Sequence, residues 1–211
     1  MAAVRTLEHR VAGLVLAAPD VEVGRRSVFA HLWPAGQRLA EQLAGPLAAG
    51  LAGRRAIELG CGLGAPGLAA ARAGADVLLT DVEPEALELA RANAQANGLE
   101  VAVRRLRWGE VPRELEGAFD VVLAADVAYD PRERGPLLAT IEALLAAGGV
   151  AWLADPERTS RRELRHHSAL AIEPWARLPA PLGLATSDDS GDRDVVIYRL
   201  ARAAAAGRVT T

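Results

Sequence analysis

The chain contains no lysine, and all 24 of its basic residues are arginine. It offers no lysine side chain of its own for modification, and a Tyr-x-x-x-Lys catalytic pair is excluded. With so much alanine and glycine alongside, the arginine bias reads as compositional rather than functional. Cysteine is nearly absent too: Cys61 is the only one. No intramolecular disulfide can form, and a cysteine-based metal cluster is excluded. A lone thiol suits a reducing compartment, so a cytoplasmic setting is expected. Long apolar runs are missing near the start. The stretch "VAGLVLAAP" (11–19) is short and flanked by charged residues. Neither a signal peptide nor a membrane span is expected, and no membrane partner. An excess of positive charge is lacking as well. The net charge is −3 and the sequence pI about 5.9, which argues against nucleic acid as the main partner.

What is present is ample apolar material. The 211 residues are 51% hydrophobic and 24% charged, enough for one sizeable core with at most a small extension. Elements alternate along the chain. "RAIEL" (55–59) predicts a strand running into a tight turn, and "APGLAAARAG" (65–74) a helix with Pro66 in its first turn and Gly74 at its end. "DVLLT" (76–80) predicts a second strand. Residues 83–98 predict a helix opened by Pro84 and acidic residues and stopped at Asn97-Gly98. Strands follow at 101–106, at 119–126 (apolar throughout, as for burial on both faces) and at 150–155. Between the last two, residues 132–149 hold a helix ended by two glycines. Beyond them come a polar helix around "RRELRHHSA", then strands "LAIEPWARL" and "DVVIYRL" separated by a loop. Before the sheet, residues 33–53 predict mainly helix, interrupted at Gly45-Pro46. The first thirty residues suggest a small hairpin. This alternation predicts an α/β fold: a parallel sheet with helices on both faces.

The stretch "IELGCGLGAPG" (57–67) carries the ligand signal. From Gly62 it spells the dinucleotide fingerprint Gly-x-Gly-x-x-Gly. From Glu58 it spells Glu-x-Gly-x-Gly-x-Gly, the nucleoside-binding turn of S-adenosylmethionine (SAM) enzymes. Gly60, Gly62 and Gly64 follow a strand directly, where glycine permits positive φ and close ligand approach. Asp81 ends the second strand, where a carboxylate can accept hydrogen bonds from both ribose hydroxyls. That favours a nucleoside without choosing between NAD and SAM. Three features favour SAM. Glu58 lies two residues before the first glycine, a helical segment precedes the first strand, and the chain after the fifth strand is short for a dehydrogenase.

With these motifs in place, the chain resembles the seven-strand SAM-dependent methyltransferases. "LWPAGQRLA" (32–40), "DVAYD" (126–130) and "DVVIYRL" are similar to the lysine methyltransferase branch, which carries an Asp-x-x-Tyr motif after the fourth strand. Trp-Pro-x-Gly-Gln and "ADPER" further resemble the enzymes acting on the electron transfer flavoprotein beta subunit. The resemblance implies a Rossmann-like, doubly wound seven-strand sheet, mostly parallel with an antiparallel last strand. It implies a catalytic domain over 33–203, an N-terminal extension or lid over 1–32, and a disordered tail over 204–211. It implies SAM as cofactor and S-adenosylhomocysteine (SAH) as product. Glu58, Gly60, Gly62 and Gly64 would line the methionine and ribose, and Asp81 would bind the ribose hydroxyls. Trp108 would cover the adenine, and Trp33 would close the methionine side. Asp126 would sit beside the methyl group, and Tyr129 would shape the substrate channel.

Methyl transfer from a sulfonium is an in-line displacement from an already activated donor, so no metal is required. A lysine acceptor must first lose its proton, and an apolar channel beside a sulfonium lowers its pKa by desolvation and like charge. Asp126 would orient the amine rather than act as a strong base. The expected acceptor is a protein lysine. A small-molecule N- or O-methyltransferase on the same fold, with the N-terminal residues as a lid, is the alternative. His166 and His167 are weaker candidates for bases, better explained by a polar helix.

Overall fold

The computed structural model describes residues 5–21, 27–157, 163–164, 170–181 and 193–202. The chain opens with strands β1 (Thr6–Val11) and β2 (Leu14–Pro19), paired antiparallel across Ala12-Gly13. Both turn residues have positive φ, 54° and 74°, as a two-residue hairpin turn of matching twist requires. The hairpin expected of the first thirty residues is therefore present.

Helix α1 (Pro34–Leu43) follows, with proline at its first position. The chain then alternates: β3 (Arg55–Leu59), α2 (Ala65–Arg72), β4 (Asp76–Asp81), α3 (Pro84–Ala96), β5 (Ala102–Arg105) and β6 (Phe119–Ala125). It continues with α4 (Arg134–Leu144), β7 (Leu145–Asp155), β8 (Leu170–Leu178) and β9 (Val195–Arg202). Seven of these strands form one sheet in the order β5-β4-β3-β6-β7-β9-β8. Strands β3 to β7 pair in parallel, and β9 runs antiparallel to both β7 and β8. The fold is the expected Rossmann-like, doubly wound sheet with an antiparallel last strand.

Strand periodicity explains the two cores. Successive side chains point to opposite faces of a sheet. Ala56 and Leu123 pack with Leu39 and Leu68 on one face, while Ile57, Leu59 and Val122 pack with Leu138 and Ile141 on the other. Both faces of the central strands are thus buried, which is why they read as continuous apolar runs.

Two expectations need correction. Gly148-Gly149 does not end α4. The chain turns extended at Leu145 directly after the helix, and β7 begins there opposite Phe119. The ladder resumes at Val121 opposite Val150, so residues 146–149 bulge out of it. The glycines serve that bulge: Gly148 has φ 76°, and a Cβ on Gly149 would lie 3.0–3.2 Å from three carbonyl oxygens. Residues 44–53 are also less helical than expected. After α1 they hold turns and one 3-10 turn, Ala48–Gly50. The expected polar helix lies mostly outside the described residues, as do His166, His167 and the tail over 204–211.

Candidate active site

Strand β3 has β4 on one side and β6 on the other, so the chain order reverses beside it. In open α/β sheets ligands bind at this switch point, beyond the carboxyl ends of the strands. A cavity of about 300 Å³ opens there. Its walls come from the turns after β3, β4, β5 and β6, and from residues 28–36 folded across the top. It brings together Trp33, Glu58, Gly60, Gly62, Asp81, Trp108, Asp126 and Tyr129. Gly64 is the one predicted site residue that does not line it.

The glycine turn is left-handed at each expected position, with φ of 66°, 49° and 84° at Gly60, Gly62 and Gly64. Closeness adds to handedness at the first two. A Cβ on Gly60 would lie 2.8 Å from Val127 Cγ1, and one on Gly62 would lie 2.9 Å from the Phe29 carbonyl oxygen. Gly64 faces inward instead, where a Cβ would touch Leu68 and Leu79 at 3.4 Å. Its role is to start α2, whose first residue it caps. Gly67 belongs to α2 and presses that helix onto the sheet. A Cβ there would meet Leu79 Cδ2 at 2.3 Å and Glu58 Oε2 at 2.6 Å.

Among the carboxylates that line the cavity, Glu58, Asp81 and Asp126 are each tied to a backbone N–H. Glu58 Oε2 accepts from Gly67 N–H at 2.8 Å. Complete burial pushes its carboxyl up to about 8; the Gly67 bond opposes this and the nearby Asp81 adds to it. Asp81 Oδ2 accepts from Gly62 N–H at 3.1 Å, and Oδ1 accepts from Glu83 N–H at 3.0 Å. Burial raises the Asp81 carboxyl as well, against those two bonds. Asp126 follows β6 in the left-handed region, at φ 57°. Aspartate tolerates that conformation better than most residues, and such outliers gather at functional sites. Its Oδ2 accepts from Ala35 N–H at 2.7 Å, within the first turn of α1. One Asp126 oxygen thus holds the N-terminus of α1.

The aromatic residues close the edges. Trp33 Nε1 donates to the Val28 carbonyl at 2.8 Å, locking residues 28–33 into a loop before α1. The Trp108 ring edge lies across from Gly60. Tyr129 is 53% exposed, so it stands on the rim rather than inside a channel. Cys61 also lines the cavity, and burial pushes its thiol well above the ordinary value, with Glu58 and Asp81 adding to the effect. It is an inert wall group.

Sequence reasoning missed Val28, Phe29 and His31, which line the cavity just before Trp33. That stretch carries no periodicity or motif, so nothing local marked it. Glu133 at the start of α4 was missed as well. It lines the cavity and was legible only as one charge in a run of charges.

Comparison with known proteins turns this geometry into a family. Residues 20–170 match the family model described as lysine methyltransferase. The chain belongs to the lysine methyltransferase family. Protein N-lysine methyltransferase METTL21A of Danio rerio is 40% identical over 119 residues, which cover 54% of this chain and 54% of the relative. Histone-arginine methyltransferase METTL23 of Homo sapiens is 35% identical over 120 residues, covering 54% of this chain and 63% of the relative. The chain therefore spans only part of the length of these curated relatives. Among solved structures, magnesium protoporphyrin IX methyltransferase from Synechocystis PCC 6803 with bound SAH superposes with a TM-score of 0.63. Its identity is 17%, over 87% of this chain and 90% of that one, so the likeness concerns the fold. Within the described residues, no helix of this family member is long and apolar enough to cross a membrane.

Proposed function

We propose that this chain transfers a methyl group from SAM to a lysine side chain of a protein substrate. The observation that carries the reading is one cavity lined by the glycine turn, Asp81, Asp126 and Tyr129 together. Its volume, about 300 Å³, lies at the small end of the range for ligand pockets. The residues fit the cofactor: Gly60 and Gly62 form a bare left-handed turn in the cavity wall, packed too closely on Val127 and Phe29 to admit a Cβ, and Asp81 offers a buried carboxylate at a strand end.

In this reading Asp81 holds the ribose hydroxyls, Trp108 covers the adenine, and Gly60 and Gly62 let the backbone approach the ligand. Glu58 and Trp33 bound the methionine end. When bound, SAM supplies a methyl group already activated by the sulfonium charge. The protein's share is alignment, and orientation of this kind is worth several kcal/mol. Asp126, held rigidly by Ala35 N–H, presents a fixed negative charge to an incoming amine. Tyr129 and Glu133 at the rim receive the substrate. A lysine enters protonated, since its free pKa is about 10.4, and desolvation in the cavity lowers that value so the nitrogen can attack.

A protein substrate is supported by the family and by the METTL21A relative. The electron transfer flavoprotein beta subunit is the first substrate to assay, because Trp33-Pro34-Ala35-Gly36-Gln37 carries that resemblance and its first four residues build or adjoin the cavity wall. The arginine-directed METTL23 relative favours a second reading, in which the acceptor is an arginine. A cytoplasmic setting accords with the single, buried thiol.

The test is incubation of the purified protein with tritiated SAM and a lysate, followed by acid hydrolysis of the labelled bands. Methyl-lysine in a protein band is expected. Because the chain has no lysine, its own band serves as an internal blank for that product. Methyl-arginine would establish the second reading. Label confined to the small-molecule fraction would overturn both in favour of a small-molecule acceptor.

A further inference from the structure

Two asparagines, Asn93 in α3 and Asn97 capping its C-terminal end, stand one helical turn apart. Both side-chain amides lie along the open edge of β2. Asn97 Oδ1 accepts from Val15 N–H at 2.9 Å, and Asn97 Nδ2 donates to the Val15 carbonyl at 2.7 Å. Asn93 repeats the pattern two residues along the strand. Its Oδ1 accepts from Ala17 N–H at 2.8 Å, and its Nδ2 donates to the Ala17 carbonyl at 3.2 Å. Alternate residues of a strand present N–H and C=O to the same edge. The two amides therefore stand in for the peptide groups of a missing neighbouring strand. A lone two-stranded hairpin is marginal in water, and this docking supplies what it lacks.

Asn93 makes one more bond. Its Nδ2 also donates to the Leu63 carbonyl at 3.1 Å. Leu63 lies in the glycine turn, between Gly62 and Gly64, and lines the cavity. Asn93 is 1% exposed, and its amide uses both N–H donors and its carbonyl oxygen. Asn97 instead spends its second N–H on the Asn93 carbonyl within α3 and has no bond to the turn. No residue of β1 or β2 lines the cavity. A single buried amide thus hydrogen-bonds to both the hairpin and the turn, while the other links between them include the apolar packing of Leu14, Leu16 and Ala18 near Leu63 and an Arg72–Gly13 hydrogen bond from α2.

We propose that Asn93 is a positioning residue for the cofactor turn, and that it couples occupancy of the cavity to docking of the N-terminal hairpin. The proposal rests on the reading that this turn binds SAM. Removing the amide takes a partner from the part-buried Ala17 groups, which water can reach, and from the buried Leu63 carbonyl, which must relax toward a new one. The turn shifts with it. Coupling is reciprocal: if a docked hairpin strengthens SAM binding by some factor, SAM strengthens hairpin docking by the same factor.

The experiment uses the full chain and its Asn93→Ala and Asn97→Ala variants. It measures SAM affinity by calorimetry, the SAM dependence of methyl transfer, and hydrogen exchange of the hairpin amides. Asn97→Ala should loosen Val15 N–H while leaving SAM affinity within about twofold. Asn93→Ala should weaken SAM binding on the order of 10-fold, the scale of a typical coupling. It should raise KM for SAM with kcat retained at saturation; a variant that was merely partly unfolded would lose kcat in proportion and keep its KM. In the wild-type chain, SAM should slow exchange at Ala17 N–H even though no hairpin strand touches the cavity. That measurement needs no variant and so survives a variant that fails to fold. Equal SAM affinities for the two variants, or hairpin exchange indifferent to SAM, would overturn the proposal. Failure of the wild-type chain to bind SAM at all would instead overturn the functional reading beneath it.

Discussion

Asp126 and Ala35 are 91 positions apart in sequence, yet Asp126 Oδ2 accepts the Ala35 N–H at 2.7 Å. The bond joins the end of β6 to the first turn of α1, and so joins the proposed catalytic carboxylate to the wall that carries Trp33. A carboxylate at a helix N-terminus satisfies an orphan N–H and meets the positive end of the helix dipole.

Asp126→Ala therefore disturbs more than chemistry. It removes a hydrogen bond to a charged group, worth about 2 kcal/mol, and places alanine at φ 57°. Urea denaturation should show a loss of at least that size. Asp126→Asn is the cleaner probe, because asparagine keeps an acceptor oxygen and tolerates the left-handed region. It should leave SAM affinity nearly unchanged and lower methyl transfer sharply. Full activity in Asp126→Asn would assign Asp126 to structure alone.

Glu58 gives a pH dependence with a definite sign. Its carboxyl sits at about 8 in the folded chain against an ordinary 4.5. Below pH 4.5 both folded and unfolded chains hold the proton, and its contribution to stability is fully present. Between pH 4.5 and 8 the unfolded chain releases the proton and the folded chain keeps it. Stability then falls as pH rises, by about 1.4 kcal/mol per pH unit from this group. Asp81 is raised as well and acts with the same sign. Glu58→Gln retains an oxygen for Gly67 N–H and removes the titration, so denaturation midpoints between pH 5 and 8 should slope less steeply in the variant. A cationic ligand group beside Glu58 favours its ionised form, so SAM binding at pH 7 should release protons, seen as a buffer-dependent binding enthalpy. Identical slopes in wild type and variant would show that Glu58 is ionised throughout.

How much of this was legible beforehand depends on how local each signal is. Gly60, Gly62 and Asp81 were readable because a positive φ after a strand and a carboxylate ending the next strand are demands of the backbone itself. The sheet was readable because its buried strands are apolar on both faces. Gly148-Gly149 misled, since a glycine pair marks a helix stop and a strand bulge equally well, and the bulge is set by pairing with Phe119 and Val121. Asn93 and Phe29 gave no warning. The first reads as a polar residue on an amphipathic helix and the second as a loop aromatic. Their partners, Ala17 and Gly62, lie 76 and 33 positions away and meet them only in the folded chain.

Asp81 holds the glycine turn and, in the proposed function, the ribose. Asp81→Ala should weaken SAM binding by about 10-fold or more, the scale of a lost bond to a charged group. Part of that loss would come from freeing Gly62 N–H, which Asp81 Oδ2 now accepts at 3.1 Å. Asp81→Asn separates the two roles, since an amide oxygen can still accept from Gly62 while the charge is gone. Calorimetry should place Asp81→Asn between wild type and Asp81→Ala. Unchanged affinity in Asp81→Ala would remove the ribose assignment.

Gly36 and Gly67 make opposite predictions for the same substitution. Both lie in helices, α1 and α2, where alanine is intrinsically better than glycine by about 0.5–1 kcal/mol. At Gly36 a Cβ would meet nothing within 4 Å, so Gly36→Ala should gain roughly that stability. At Gly67 a Cβ would lie 2.3 Å from Leu79 Cδ2 and 2.6 Å from Glu58 Oε2. The leucine end can swing aside, but Glu58 is held by the N–H of Gly67 itself, and both sit in a packed layer between α2 and the sheet. Overpacking of this kind costs about 1–3 kcal/mol, which outweighs the gain in propensity. Thermal unfolding should therefore show Gly36→Ala above wild type and Gly67→Ala well below it. A Gly67→Ala variant as stable as wild type would mean that α2 can lift from β3 and β4 without cost, and that the close packing at Gly67 does not fix the cofactor turn.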